Sequence, residues 1–107
     1  MTVNTLSELD GFNALCMPDP DREIDGAYVG DLLSWVMGKA ESGNAWITIM
    51  SNINIVAVAT LTDVACILLT EGVVPDSGVL DTARAKGVNV LTTSLTSYEA
   101  AVRLAGL

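Results

Sequence analysis

The sequence predicts a single-domain α/β fold with a mainly parallel β-sheet, and three observations support this prediction. The chain has 107 residues, a length typical of one domain. Half of the residues are hydrophobic and only 17% are charged, which excludes intrinsic disorder. In the second half, three apolar segments alternate with three helical patterns, as in βαβ units with parallel strands.

The first half of the chain predicts two helices and two strands. The capping box Thr5-x-x-Glu8 indicates a short helix starting near Thr5, and Asp10-Gly11 ends it. The elements that follow are a strand at 12–17, a two-proline turn at 18–21, a strand at 24–29 containing Gly26, and an apolar helix at 32–37 that is capped by Asp31 and ends at Gly38 or Gly43.

The second half predicts a βαβαβα order. Strands are expected at 45–50, 64–69 and 88–91, and the middle one is apolar on both faces, as a central parallel strand should be. Helices are expected at 53–61, from Asp76 or Ser77 to Lys86, and from Thr96 or Ser97 to Leu104.

The charge balance excludes several classes of partner. The 13 acidic and five basic residues give a net charge of −8, so the chain offers no basic patch for nucleic acid or an anionic membrane surface. The sequence contains no histidine, the commonest general base and metal ligand. We therefore predict no nucleic-acid partner, no cofactor and no catalytic residues.

The stretch at 53–70 is long and apolar enough to test as a membrane span. A spanning helix needs ~20 apolar residues, and an Asp at its centre, such as Asp63, costs at least ~2.5 kcal/mol. A buried helix, a turn and a buried strand are the better interpretation. The N-terminus has neither the basic nor the apolar region of a secretory signal, and two unpaired thiols suit a reducing compartment, so we expect a cytoplasmic protein.

Two groups of residues could suggest metal binding, and both have a simpler interpretation. Acidic residues and a glycine fall at positions 1, 3, 5 and 6 of an EF-hand loop, namely Asp21, Glu23, Asp25 and Gly26. Position 12, however, is Leu32 instead of glutamate, so a solvated acidic turn with Arg22 paired to a neighbour is favoured. Cys16 and Cys66 lack the spacing of metal ligands; Cys66 is expected in the core, and Cys16 could be partly exposed.

The strand ends are the candidate ligand site. In open parallel sheets, ligands bind beyond the carboxyl ends of the strands, near helix N-termini. The predicted strand ends are rich in hydroxyl, amide and glycine groups: Ser51, Asn52, Thr70, Gly72, Thr92, Thr93 and Ser94. The alternative is that these side chains only cap helices.

The helix at 53–61 predicts self-association. It is apolar around its whole circumference, so more than the sheet must cover it. A two-fold homodimer would provide that cover, with interface residues Ile55, Val58 and Ala59, and next Leu32 and Trp35 of the preceding helix. Alternatively, another helix of the same chain covers it, and Trp35 lies either in the core or on a contact surface.

Several segments in order resemble the DRTGG domain family. The apolar strand, the Thr70-Glu71-Gly72 turn, a helix with Pro75, Leu80 and Ala83, and Glu99 near the last helix start are similar to that family's T-G-G, P-x-x-x-x-L-x-x-A and T-x-x-E motifs. Upstream, residues 21–26 and 30–34 resemble the D-R-x-V-x-G and G-D-L-L-S segments of small stand-alone members.

The resemblance implies an α/β domain without catalytic activity, similar to the DRTGG domains of CBS-domain pyrophosphatases and the N-terminal domain of HPr kinase/phosphorylase. We therefore expect a regulatory or accessory domain that acts through self-association or contact with a partner enzyme. The alternative is a sensor that binds a small, nucleotide-like molecule at the strand ends. One departure weakens a phosphate-binding role: members fused to larger proteins often carry G-D-R where this chain has Ser51-Asn52-Ile53.

Overall fold

The computed structural model describes residues 1–106 and contains one five-stranded sheet. The strands are β1 (Phe12–Cys16), β2 (Ala27–Val29), β3 (Ala45–Thr48), β4 (Cys66–Leu69) and β5 (Val90–Thr93). Their order across the sheet is β1-β5-β4-β3-β2. Strands β2 to β5 are mutually parallel, and only β1 runs antiparallel, against β5. This arrangement confirms the predicted mainly parallel α/β fold.

Five helices cover the two faces of the sheet: α1 (Val3–Glu8), α2 (Leu33–Lys39), α3 (Asn54–Thr62), α4 (Val79–Lys86) and α5 (Ser97–Ala105). One core cluster joins α2, α3 and α4 to one face of the sheet and contains the fully buried Trp46. The other cluster joins α1 and α5 to the opposite face. Strand β4 is buried on both faces, as its unbroken apolar sequence predicts.

Several helix starts differ from the prediction. Thr2, and not Thr5, caps α1, because its hydroxyl accepts the backbone N–H of Thr5. Neither Asp31 nor Asp76 or Ser77 caps the helix that follows it: α2 begins after Leu32 and α4 after Gly78, both without a side-chain cap. Of the two caps predicted for α5, Thr96 is the one present, and it forms a capping box with Glu99 that was not predicted.

The strand bounds also shift by a few residues. The predicted strand at 24–29 shrinks to β2, because Gly26 lies before it with a positive φ of 74°. Strand β5 begins and ends two residues later than predicted and so includes Thr92 and Thr93.

The acidic turn is held by a contact that the sequence pattern did not indicate. Arg22 forms a bidentate ion pair with Asp63, with distances of 3.1 and 3.0 Å, and also donates to the Asp63 carbonyl at 2.9 Å. Asp63 ends α3 in the left-handed conformation. Among the described residues, no group of three or more His, Cys, Asp or Glu side chains is placed to hold a metal ion. In residues 1–106, no helix has the length and apolar character needed to cross a membrane.

Candidate functional site at the carboxyl edge of the sheet

The carboxyl ends of β2 to β5 lie along one edge of the sheet, where the chain turns into α2, α3, α4 and α5. This carboxyl edge carries all seven predicted ligand residues, but their roles differ, because some form hydrogen bonds within the chain and others line a groove. Thr70 is fully buried, and its hydroxyl lies 2.6 Å from that of Ser97 at the start of α5. The Thr93 hydroxyl is also buried and accepts the backbone N–H of Leu95 at 3.2 Å. Both hydroxyls therefore position α5.

The polar side chains of the loop between β3 and α3 also form hydrogen bonds within the chain. The side-chain oxygen of Asn52 accepts the backbone N–H of Asn54, the first residue of α3, at 2.9 Å, so this side chain is bonded within its own loop. The Ser51 hydroxyl donates to Asp76 at 3.0 Å, and the Asp76 backbone N–H donates to the Ser51 carbonyl at 2.9 Å. These two bonds join the β3–α3 loop to the β4–α4 loop.

An open groove of about 440 Å³ lies next to these loops, between β1, the end of β5 and the β4–α4 loop. We call it the β5 groove. Four of the predicted residues line it: Gly72, Thr92, Thr93 and Ser94. Ser51, Asn52 and Thr70 are not part of its lining. Sequence reasoning missed Asn13 and Leu15 of β1, because nothing in the sequence shows that β1 pairs with β5.

Three carboxylates lie along the carboxyl edge and accept hydrogen bonds there. Asp31 accepts the Thr48 hydroxyl at 2.8 Å and the Ile49 backbone N–H at 3.0 Å. Glu71 accepts the backbone N–H of Ser97 in the first turn of α5 at 2.9 Å, and Asp76 accepts Ser51, as described above. A helix N-terminus favours an anion; at α5 the chain's own Glu71 occupies that position.

Four of the five basic side chains lie at the other edge of the sheet. Lys39, Arg84 and Lys86 occur in the last turns of their helices, and Arg22 pairs with Asp63 at the C-terminal end of α3. Arg103 also occurs in a last turn, but its guanidinium reaches the carboxyl edge, where it donates to the Asp10 carbonyl at 3.3 Å and lies over the ring of Phe12, the partner of Thr93. Since each crossover helix runs back along the strands, its last turn lies near their amino ends. Apart from Arg103, the positive charge therefore lies at the amino edge, a separation that disfavours anions at the β5 groove. Arg103 lies on the face that α5 covers, whereas the β5 groove opens on the face that α4 covers.

Neither thiol is suited to nucleophilic chemistry. Burial raises the pKa of Cys66 to about 12, and it also raises the pKa of Cys16, an effect that nearby Arg84 offsets in part. Both side chains are buried, so the expectation that Cys16 could be partly exposed was wrong. A thiol with a raised pKa is mostly protonated at neutral pH and a poor nucleophile.

The structure divides the predicted interface residues into two groups. Ile55, Val58 and Ala59 are buried within the chain, in the core cluster that α2 and α4 share with the sheet. The premise that α3 needs a second chain as cover is therefore corrected, because other helices of the same chain cover it. Leu32 and Trp35, in contrast, are exposed by 59% and 58%.

A second, larger groove of about 690 Å³ lies between α1, α5 and the start of β2. Its lining is mostly apolar and includes Leu9, Ile24 and Leu104. It contains none of the predicted ligand residues. The sequence did not predict this groove, because its walls come from segments about 100 residues apart.

The comparisons with known proteins agree with this fold. The DRTGG domain matches residues 26–107, about three quarters of the chain. The chain belongs to the DRTGG domain family. No curated protein matches its sequence.

A solved structure of another protein shows the same fold. It contains the CBS and DRTGG domains of the regulatory region of Clostridium perfringens pyrophosphatase, in complex with the activator diadenosine tetraphosphate. The TM-score is 0.64 at 18% sequence identity, and the match covers 95% of this chain but 47% of that one. The likeness therefore includes most of the segment that precedes the DRTGG match.

Proposed function

We propose that this DRTGG domain is a non-catalytic regulatory or accessory domain of the cytoplasm, which acts by contact with a second copy of itself or with a partner enzyme. Two observations support a regulatory role: membership of the family, and the shared fold with a regulatory region of a pyrophosphatase. The raised pKa values of both thiols support the absence of nucleophilic catalysis.

The exposed apolar surface of α2 is the observation that supports contact with a second copy or a partner enzyme. Leu32 directly precedes α2 and Trp35 lies in its first turn, and both side chains are more than half exposed. Met37 and Val29 are also about half exposed. Large apolar side chains concentrated on one short segment are typical of interaction sites, because leaving them in water is unfavourable. We call Val29, Leu32, Trp35 and Met37 the α2 surface.

Sedimentation velocity of the wild type and of Trp35→Glu tests this proposal. We expect the wild type to sediment as a dimer at micromolar concentration and Trp35→Glu as a folded monomer. Tyr98→Glu is the matched control, since Tyr98 is an equally large, exposed aromatic residue on α5. A dimer that persists in Trp35→Glu would exclude the α2 surface as the self-contact, and a monomeric wild type would leave only contact with a partner enzyme.

The second candidate function is a small-molecule sensor. The β5 groove favours it, because four of the seven residues predicted from the strand ends line this one groove. Its volume of about 440 Å³ is within the range of small-ligand sites, roughly 300–1,000 Å³. A thermal-shift screen with nucleosides and nucleotides separates the two functions, since only a ligand-binding domain gains stability from such compounds.

A further inference from the structure

The walls of the β5 groove are apolar and its polar groups are uncharged. The walls consist of Leu15 from β1, Leu80 from α4, and Val73, Val74 and Pro75 from the loop between β4 and α4. Asn13, Thr92 and Ser94 supply the polar side chains. Asn13 and Thr92 face each other in the register of β1 and β5, so they stand side by side on the groove floor.

The polar groups of the β5 groove have hydrogen-bonding capacity to spare. Within residues 1–106, the side chains of Asn13 and Ser94 form no hydrogen bond, and both residues are exposed. The Thr92 hydroxyl makes one long contact, 3.5 Å to the Val73 carbonyl. The Asn13 amide offers a donor and an acceptor side by side, which matches the edge of a heterocycle such as adenine.

Carboxylates flank the β5 groove on both sides of its apolar loop. Glu71 directly precedes Gly72, and Asp76 directly follows Pro75. Both are tied to neutral donors, Ser97 N–H and the Ser51 hydroxyl, so no cation neutralises them there. Four of the five basic side chains lie toward the opposite edge of the sheet, and Arg103 lies against Phe12 on the other face of the sheet. A phosphate at this groove would lie near two negative charges, and no basic side chain lines the groove to compensate them.

We propose that the β5 groove binds an uncharged purine nucleoside and discriminates against its phosphorylated forms. The purine would lie against Val74 and Pro75, with its polar edge on Asn13. This inference rests on the second candidate function, the small-molecule sensor, and specifies its ligand class. It narrows the nucleotide-like ligand expected at the strand ends to an uncharged one, because Glu71 occupies the N-terminus of α5 and Asp76 follows the groove's apolar loop.

The test is a titration of the ¹⁵N-labelled chain with adenosine and, separately, with adenosine monophosphate, followed by NMR. We expect adenosine to shift the amide resonances of Gly72, Val74 and Ser94. The monophosphate should bind at least about threefold more weakly at low salt, and the difference should shrink at high salt as the carboxylates are screened. Equal or tighter binding of the monophosphate would overturn the inference while leaving the sensor function standing.

Two variants test the groups that are proposed to bind the purine and to disfavour the phosphate, and a third variant is the control. Asn13→Ala should lower the affinity for adenosine by about tenfold, a typical loss for a paired heterocycle edge. Asn54→Ala should leave it unchanged, because Asn54 is an exposed asparagine outside the groove. The double variant Glu71→Gln/Asp76→Asn keeps hydrogen-bond acceptors but removes both charges, so it should narrow the gap between monophosphate and adenosine and leave adenosine binding unchanged.

The remaining outcomes count against the proposal. If neither compound shifts the groove resonances at millimolar concentration, both the inference and the purine-sensor function fail. If those resonances instead move with protein concentration alone, a second copy of the chain occupies the β5 groove, and the inference is wrong. Shifts confined to the larger groove beside Leu9 and Leu104 would place the ligand elsewhere and overturn it as well.

Discussion

Glu71 adopts a left-handed backbone conformation, with φ of 60°, and its carboxylate accepts the backbone N–H of Ser97 at 2.9 Å. Glu71 stands where the family's T-G-G motif has its first glycine. Glycine adopts positive φ without strain, whereas another residue pays about 1 kcal/mol. The carboxylate offsets this strain, because it caps the N-terminus of α5, a contribution of about 1 kcal/mol.

Replacement of Glu71 separates these two effects. In Glu71→Gly the strain and the cap are both lost, so the free energy of unfolding should stay within about 0.5 kcal/mol of the wild type. Glu71→Ala loses the cap but keeps the strain, and we expect it to be less stable than Glu71→Gly by about 1 kcal/mol. Urea denaturation measures both variants. Equal stability of the glycine and alanine variants would show that the backbone is not strained at this position.

The ion pair of Arg22 and Asp63 should make stability depend on pH. The hydrogen bonds from Arg22, and next that from Ser42, lower the pKa of Asp63 below its ordinary value of about 3.9. A carboxyl whose pKa is lower in the folded state stabilises the fold above its unfolded pKa, and this contribution disappears as pH falls through the folded pKa. The wild type should therefore exceed Asp63→Asn in stability at pH 6 by about 1 kcal/mol, since the pair is partly exposed.

Measurement of the same pair of proteins below pH 4 completes this test. The difference between wild type and Asp63→Asn should shrink steadily as Asp63 becomes protonated. Asp81→Asn is the control, because the Asp81–Arg84 pair is a neighbouring pair on an exposed helix surface and should contribute little at any pH. A difference for Asp63→Asn that stays constant from pH 6 to pH 3 would exclude the ion pair as its source.

The buried amide of Asn89 ties the two-proline turn to the sheet. Its side chain donates to the carbonyls of Asp19 and Ala65, at 2.8 and 2.9 Å, and accepts the Asp19 backbone N–H at 2.9 Å. Asn89→Ala would leave these buried groups without partners, so we expect a loss of about 2–3 kcal/mol in the free energy of unfolding. Asn13→Ala, at an exposed asparagine, should change it by less than about 0.5 kcal/mol. Similar losses in the two variants would contradict this assignment.

The sequence predicted those features that depend on neighbouring residues. The N-terminal cap of α5 bonds within one turn of the helix, so Thr96 could be predicted as one of two candidate caps, and the structure confirms it. Asp31 and Asp76 have the composition of helix caps, yet their side chains bind partners 17 and 25 residues away. Local preference for a cap cannot reveal a competing long-range hydrogen bond.

The same limit applies to the grooves and to α3. The β5 groove needs Asn13 of β1 beside Thr92 of β5, and this pairing depends on the fold of the whole chain. The apolar circumference of α3 showed that it must be covered. It did not show whether α2 and α4 or a second chain provide the cover. The hydrophobic effect is non-directional, so an apolar surface does not specify which other surface buries it.

Two adjacent residues of α3 provide a direct test of that cover. Val58 is only 5% exposed and belongs to the core that α3 shares with the sheet, α2 and α4, whereas its neighbour Ala57 is exposed. Val58→Glu would bury an unpaired carboxylate, so we expect a loss of at least about 3 kcal/mol, enough to unfold a marginally stable domain. Ala57→Glu places the same charge in water and should change the free energy of unfolding by about 0.5 kcal/mol or less. Circular dichroism during urea denaturation measures both, and sedimentation shows whether each variant still associates.

If Val58→Glu remained folded and merely became monomeric, the Val58 side of α3 would be an interface between chains, and cover by α2 and α4 would be insufficient. If Ala57→Glu instead stayed folded but lost self-association, the interface would extend from the α2 surface onto the exposed side of α3.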